Sequence, residues 1–163
     1  MKVMPPPQAK IVTRAHLAEI AARLHAERKR IVTCNGSFDL FHYGHLKFLE
    51  EASQQGDVLI VGLNSDASVR QYKSANRPMV PQQQRAELLA ALTLVDYVHL
   101  FDELVPMPFL EVVKPHVHAN GEEYGENCIE APTVKKFGGE LYLVQRIPGL
   151  STTELISRIK QIG

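Results

Sequence analysis

Short apolar runs that alternate with stretches of helical spacing constrain this chain more than any other feature. The β-like runs are Ile31–Cys34, Val58–Leu63, Tyr97–Phe101, His116–Ala119 and Glu140–Val144. Helical patterns fall at residues 13–29 and at about 45–55, 65–72, 82–94, 104–113, 129–137 and 151–161. A run such as Val58-Leu59-Ile60-Val61 has no polar face, so it suits a strand covered on both sides. Strand–helix alternation predicts parallel βαβ units in a three-layer α/β sandwich with a Rossmann-like parallel sheet. The ligand of such a sheet is expected at the carboxyl ends of the strands, near the switch point.

At 163 residues the chain is the size of one domain, and residues 1–163 show no internal repeat or low-complexity tract. Residues 1–10, with Pro5-Pro6-Pro7, read as an extended lead-in. Thr13 is the expected cap of the first helix, whose apolar stripe is Leu17, Ile20, Ala21 and Leu24. Arg28, Lys29 and Arg30 sit at its end, where cations complement the helix dipole. Pro106 and Pro108 delay the start of the 104–113 helix until after them. Lysine plus arginine equals aspartate plus glutamate, 18 against 18, so no global basic field collects nucleic acid or anionic lipid. Cys34 and Cys128 make neither a disulfide scaffold nor a metal knuckle. With no signal-like leader and no apolar run near 20 residues, the cytoplasm is the expected compartment and no membrane partner is expected.

The chemistry concentrates in Cys34-Asn35-Gly36-Ser37-Phe38-Asp39-Leu40-Phe41-His42-Tyr43-Gly44-His45, between the first core strand and a helix expected to begin near His45. Gly36 and Gly44 let backbone amides approach an anion, and a helix N-terminus favours negative charge there. Two histidines three residues apart face one side of the turn and can donate to phosphate oxygens. A glycine-rich dinucleotide fingerprint and a lysine-bearing P-loop are both missing. A zinc pair from His42 and His45 lacks an obvious third ligand, and His116-Val117-His118 reads as strand residues lining the cleft. No metal-ligand set is therefore assigned.

His42-Tyr43-Gly44-His45 resembles the HxGH signature of the cytidylyltransferase-like nucleotidyltransferases, and Ser151-Thr152-Thr153 resembles their second signature. The resemblance implies in-line nucleotidyl transfer: a phosphorylated acceptor attacks the α-phosphate of an NTP and pyrophosphate leaves. It implies His42 and His45 as triphosphate donors, with backbone amides around Ser37 and Phe38 assisting. Lys73 resembles a mobile-loop lysine, on a loop from Gln71 to Pro81, and Arg85 an arginine that contacts the triphosphate. Asn35, Gly36, Gly44, Asn120, Glu123, Arg146 and the Ser151-Thr152-Thr153 turn fall to the nucleotide. Asp39, Asn64 and Asp66 fall to the acceptor, although Ser65 could equally be a helix cap. Mg²⁺ is expected with the NTP, held by phosphates and water. Enzymes of this resemblance are commonly homodimers or larger.

From about Lys10 onward, Val61–Val69, Arg77-Pro78-Met79-Val80-Pro81 and Gln84-Arg85 resemble the module that adenylylates D-glycero-β-D-manno-heptose 1-phosphate to ADP-heptose, a step of lipopolysaccharide biosynthesis. Two stretches depart from it. Asn120-Gly121-Glu122-Glu123-Tyr124 stands where that module usually has Lys-Gly-Gly-Asp-Tyr. Arg146–Thr153 resembles instead the corresponding turn of cytidylyltransferases acting on glycerol 3-phosphate or ethanolamine phosphate. ATP with a sugar phosphate is the favoured reading, CTP with a polyol or alcohol phosphate the alternative. A catalytically silent nucleotide-binding regulator is the alternative of another class.

Overall fold

A computed structural model describes residues 6–162. The chain forms α1 (Arg14–Ala26), β1 (Ile31–Gly36), α2 (Tyr43–Ser53), β2 (Val58–Asn64), α3 (Asp66–Tyr72), α4 (Gln82–Ala91), β3 (Tyr97–Phe101), α5 (Met107–Val113), β4 (Val117–Gly121), α6 (Ala131–Lys136), β5 (Glu140–Val144) and α7 (Thr152–Lys160). All pairings are parallel, in the order β3-β2-β1-β4-β5. The chain starts at the centre on β1, winds outward through β2 and β3, then crosses back to β4. The switch point therefore lies between β1 and β4, at the edge of the segment singled out for chemistry.

Alternate strand residues serve opposite layers, as a period of two demands. Val32, Cys34, Leu59, Val61 and Leu63 join Leu49 of α2 and Leu89 of α4 in one apolar cluster. Ile31 and Ile60 join Leu17, Ile20 and Leu24 of α1, Phe109 of α5 and Val134 of α6 in the other. These are the two faces of a three-layer sandwich. Gly62 sits mid-strand because a Cβ there would come within 2.8 Å of the Phe109 ring.

Several boundaries differ from the sequence reading, each for a local reason. Residues 1–5 of the expected lead-in lie outside the described residues, and Pro7–Lys10 is a 3₁₀ turn rather than extended chain. Proline at its first position supplies the backbone angle, and Lys10 Nζ anchors the turn by donating to the carbonyls of Leu92 (3.0 Å) and Val95 (2.7 Å). The first helix starts as expected after Thr13, whose hydroxyl accepts from the His16 amide, but it ends at Ala26 because Arg28 is left-handed. α5 begins at Met107, with Pro106 as cap and Pro108 inside the first turn, where the missing N–H costs nothing. α4 stops at Ala91 because Leu92 turns extended. β4 starts one residue late: His116 stays outside the strand and its Nδ1 accepts from the Ile31 amide (3.0 Å).

His118, at the middle of β4, is fully buried, and its Nδ1 shares a hydrogen bond with Thr33 Oγ1 at 2.8 Å. Burial pushes its pKa down to about 3. The unfolded chain takes up this proton near pH 6.5 and the folded chain does not until about pH 3, so stability must fall as pH drops between these values. At pH 5 the ring costs about 2 kcal/mol, or about 1.4 kcal/mol per pH unit. Urea unfolding of His118→Gln across pH 7 to 4 is expected to show a pH slope shallower by that amount, whatever the variant's absolute stability.

Candidate active site

The carboxyl ends of β4 and β5, the start of α2 and the start of α7 enclose a cleft of about 580 Å³. His42, Gly44, His45, Lys73, Glu123, Arg146, Ser151, Thr152 and Thr153 all line it. An adjoining cavity of about 230 Å³ shares His45, Lys73, Glu123 and Thr152 with it and adds Asn35, Gly36, Ser37, Phe38 and Asn120. Tertiary structure thus brings one set of residues together from four separate parts of the chain.

The two histidines are set by the helix they begin. α2 starts two residues earlier than expected, because His42 is its cap: His42 Nδ1 accepts from the Gly44 amide at 3.0 Å. His45 Nδ1 accepts in turn from the His42 amide at 3.3 Å. An imidazole that accepts at Nδ1 carries its proton at Nε2, so both rings are fixed as Nε2–H donors. The rings stack at 3.9 Å between centroids, and His42 Nε2 is buried with no partner in the chain. Burial, then the neighbouring His42 and Lys73, hold His45 down to about 3, and burial also lowers His42. Both rings are neutral donors near pH 7. Gly44 is required for space, since a Cβ would stand 2.9 Å from the His42 ring and 3.0 Å from the Leu150 carbonyl. Its amide is spent on His42 rather than left for an anion.

Positive charge comes from Lys73, at the end of α3, whose Nζ donates to Ser37 Oγ at 3.1 Å. Burial, with Arg77 and Arg85 nearby, depresses its pKa, while Asp39 opposes the shift. An arriving phosphate would relieve that strain on the cation. The start of α7 contributes a helix N-terminus, capped by Ser151 Oγ accepting from the Glu154 amide at 3.1 Å. Thr152 Oγ1 ties this turn to the Asp39 carbonyl at 3.2 Å.

Four expected site residues, Arg85, Asp66, Asp39 and Asn64, line neither cavity. Arg85 is buried and does not reach toward the cleft: Nη1 donates to the carbonyls of Ser37 (2.5 Å) and Asn64 (2.9 Å), Nε to that of Val80 (2.9 Å), and Nη2 to Asp66 Oδ1 (2.7 Å). It clamps the ends of β1 and β2 beneath the β1–α2 loop. Asp66, the first residue of α3, is its partner, while Ser65 is the helix cap, its Oγ accepting from the Ser68 amide at 3.2 Å. Asp39 is likewise buried, accepting from the amides of Met79 and Val80 (both 2.9 Å) and from Arg77 Nε (2.8 Å). Burial alone would raise its pKa, but those amides and Arg77 outweigh it and hold the carboxyl below the usual range. Asp39 latches the end of the Gln71–Pro81 loop. Asn64 lines a third cavity, described below.

His118 is in the core and His116 at the opposite end of β4, so neither lines the cleft. Among the described residues no group of three or more His, Cys, Asp or Glu could hold a metal ion. Glu154, Gln145, Leu150 and Phe48 line the cleft unforeseen, and Tyr124 lines it beside Glu123. Only Glu154 had a signal: Ser151 followed three residues later by glutamate is a capping-box spacing. Its carboxylate accepts from Ser151 Oγ (2.7 Å) and from Arg146 (3.3 Å), which places Arg146 at the rim.

This arrangement has counterparts. The family model described as cytidylyltransferase-like matches residues 33–158, or 126 of the 163 residues. The chain belongs to the cytidylyltransferase-like family. It is 44% identical over 156 residues to the bifunctional protein HldE of Koribacter versatilis, covering 95% of this chain and 32% of the relative. To HldE of Geobacter metallireducens it is 45% identical over 152 residues, or 93% and 31% of the two chains. The chain thus spans about a third of the length of these relatives. Among solved structures, the lipopolysaccharide core biosynthesis protein of Thermoplasma volcanium superposes with a TM-score of 0.60 at 28% identity, over 73% of this chain and 97% of that one. Pantoate-beta-alanine ligase of Francisella tularensis, at 17% identity and TM-score 0.63, covers 92% and 76% of the two chains and shares the fold.

Removing the Arg85 clamp leaves four acceptors, one of them a carboxylate, without their buried donor. Arg85→Met is expected to lose about 3–5 kcal/mol of stability, read by urea denaturation. A loss under 1 kcal/mol would show that the guanidinium does not organise the strand ends.

Proposed function

We propose that this chain is a nucleotidyltransferase that transfers AMP from ATP to D-glycero-β-D-manno-heptose 1-phosphate, giving ADP-heptose and pyrophosphate. The observation that carries the reading is the pair of Nε2–H donors on His42 and His45, beside Lys73 and the start of α7 in one cleft. That set is complementary to phosphate oxygens and to little else. The sequence likeness to the HldE proteins supports the heptose branch.

The chemistry asked of these residues is electrostatic. An acceptor phosphate oxygen bonds to the α-phosphorus while the bond to the pyrophosphate oxygen breaks, and that oxygen leaves with the electron pair. Neutral imidazoles placed before the reaction starts donate to the oxygens on which charge grows, without first surrendering a solvent shell. Lys73 adds the full positive charge, and its loop is latched at its far end by Asp39, so its reach depends on a segment that can close. Mg²⁺, bound by phosphates and water, supplies charge neutralisation along the triphosphate. The cleft's own donors hold the phosphates and leave the metal to them. The same reading puts the reaction in the cytoplasm and the chain in a dimer or larger assembly; no helix among the described residues is long and apolar enough to cross a membrane.

One feature favours a second reading, CTP with glycerol 3-phosphate or a related alcohol phosphate: the Arg146–Thr153 turn, whose arginine stands at the cleft rim. Pyrophosphate release with each nucleotide and both acceptors separates the two. ATP with heptose 1-phosphate is expected to turn over well above every other pairing. CTP turnover of glycerol 3-phosphate with ATP idle would move the chain to the other branch, and no release with any pair would leave a silent binder.

His45→Ala is expected to keep the fold and to lower kcat about a hundredfold to a thousandfold, the usual cost of one such donor. Circular dichroism checks the fold and steady-state kinetics the rate. Near-normal turnover would remove His45 from the transition state.

A further inference from the structure

Beyond Lys73, away from the α7 turn, lies a third cavity of about 330 Å³. It shares Asn35, Gly36, Tyr72, Asn120 and Tyr124 with the cavity beside His45, so the two are continuous. Its polar walls are Asn35, Asn64, Asn120 and Glu130, which come from the ends of β1, β2 and β4 and the residue before α6, with the hydroxyl-bearing Tyr72 and Tyr124 beside them. Asn64, Asn120 and Glu130 are each more than nine-tenths buried. No lysine or arginine lines it, and Glu130 is its one charged group.

Glu130 is poorly satisfied for a buried carboxylate. Its recorded hydrogen bond is a long one, 3.3 Å from Asn120 Nδ2. Asn35 Oδ1 is buried with no partner. Asn120 Oδ1 is taken by the Gly121 amide, and Asn64 Nδ2 by Ser68 Oγ. The groups it leaves short of partners are therefore acceptors, the Glu130 carboxylate and Asn35 Oδ1. Such groups cost free energy until a ligand supplies hydrogen. A phosphate, itself an acceptor, is repelled here. Hydroxyl groups are the complementary ligand, and a carboxylate can take two at once from neighbouring carbons.

We propose that this cavity holds the neutral, polyhydroxylated body of the acceptor, with Glu130 as the residue that selects for it. The proposal rests on the nucleotidyltransferase reading above and adds the acceptor's orientation. Its phosphate lies toward Lys73 and His45, and its hydroxyls lie toward Glu130, Asn35 and Asn64. A three-carbon acceptor leaves Glu130 to water, so the cavity favours a sugar phosphate over glycerol 3-phosphate. A cationic alcohol phosphate would satisfy the carboxylate, but it would bring an ammonium group into a cavity that adjoins the Lys73 cation.

The test uses the full chain and its Glu130→Gln variant, with ATP and three acceptors: heptose 1-phosphate, glycerol 3-phosphate and ethanolamine phosphate. Glu130→Gln is expected to raise KM for heptose 1-phosphate about tenfold to a hundredfold, as loss of a charged hydrogen-bond acceptor does. The ATP dissociation constant, measured by calorimetry, and the melting temperature should stay near those of the unaltered chain. Any glycerol 3-phosphate turnover should be unchanged in KM. An unaltered KM for heptose 1-phosphate overturns the Glu130 assignment while leaving the enzyme's activity in place. Preference for ethanolamine phosphate, lost in Glu130→Gln, overturns the polyol and makes the cavity an ammonium site. If the unaltered chain binds ATP but turns over no sugar phosphate, the functional reading falls, and this inference with it.

Discussion

The buried guanidinium of Arg85 is the interaction on which the cleft depends. A lone cation under the sheet ends would be prohibitive, and Arg85 is tolerated because its donors are answered by the carbonyls of Ser37, Asn64 and Val80 and by the Asp66 carboxylate. Those four acceptors belong to the β1–α2 loop, the end of β2, the loop before α4 and the start of α3. One side chain thus fixes the relative positions of the β1–α2 loop, the end of β2, the start of α3 and the loop before α4. A second buried charge, Asp39, does the complementary work from the other side by collecting two amides and Arg77. Between them the loops are held by desolvated charge, an arrangement that fails sharply when one partner is lost.

Within that frame the loop after β1 is strained. Phe38 and Leu40 both have positive φ, a conformation that costs a side-chain-bearing residue about 1–3 kcal/mol. Burial of Phe38 in the main apolar cluster and burial of the Asp39 carboxylate hold the loop in place against that cost. The consequence is a backbone that delivers His42 to the head of α2 at a fixed angle. The histidines then do two jobs with their two nitrogens: Nδ1 completes the helix cap, and Nε2 is left as a donor. Neutrality follows from burial, so the cleft's positive charge comes from Lys73 and, at the rim, Arg146, with the imidazoles adding dipoles. Dipoles fixed in advance need no rearrangement as charge develops.

The cavities differ in the charge of their linings. The large cleft, with its imidazoles, Lys73 and the α7 start, is rich in donors. The outer cavity, with Glu130 and Asn35, is rich in acceptors. A phosphorylated polyol presents the matching asymmetry, an anionic end and a hydroxylated end. Its orientation follows from the two environments without a dedicated clamp for either.

The order of strands and helices was legible in the sequence, because apolar runs such as Val58–Val61 and stripes such as Leu17, Ile20, Ala21 and Leu24 are local patterns with local causes. So was the cluster of His42, His45, Lys73 and the Ser151 turn, since each sits in a short recognisable segment. The ends of elements were less legible, because a ring nitrogen capping α2 or a left-handed Arg28 depends on atoms that spacing does not encode. Least legible were the buried charges. Arg85 and Asp39 were read as ligands of the substrates because a charged residue in a motif is ordinarily a contact. Whether a guanidinium points into a cleft or beneath it is decided by which carbonyls the folded chain gathers around it. Glu130 carries no motif at all: it becomes a feature of the site only when β1, β2 and β4 end side by side. Sequence by itself determined the layers and the short segments that meet in the cleft, which follow from periodicity and short motifs. Tertiary structure alone decided which charges line the cleft and which lie beneath it, because burial and hydrogen-bond partners are properties of distant segments meeting.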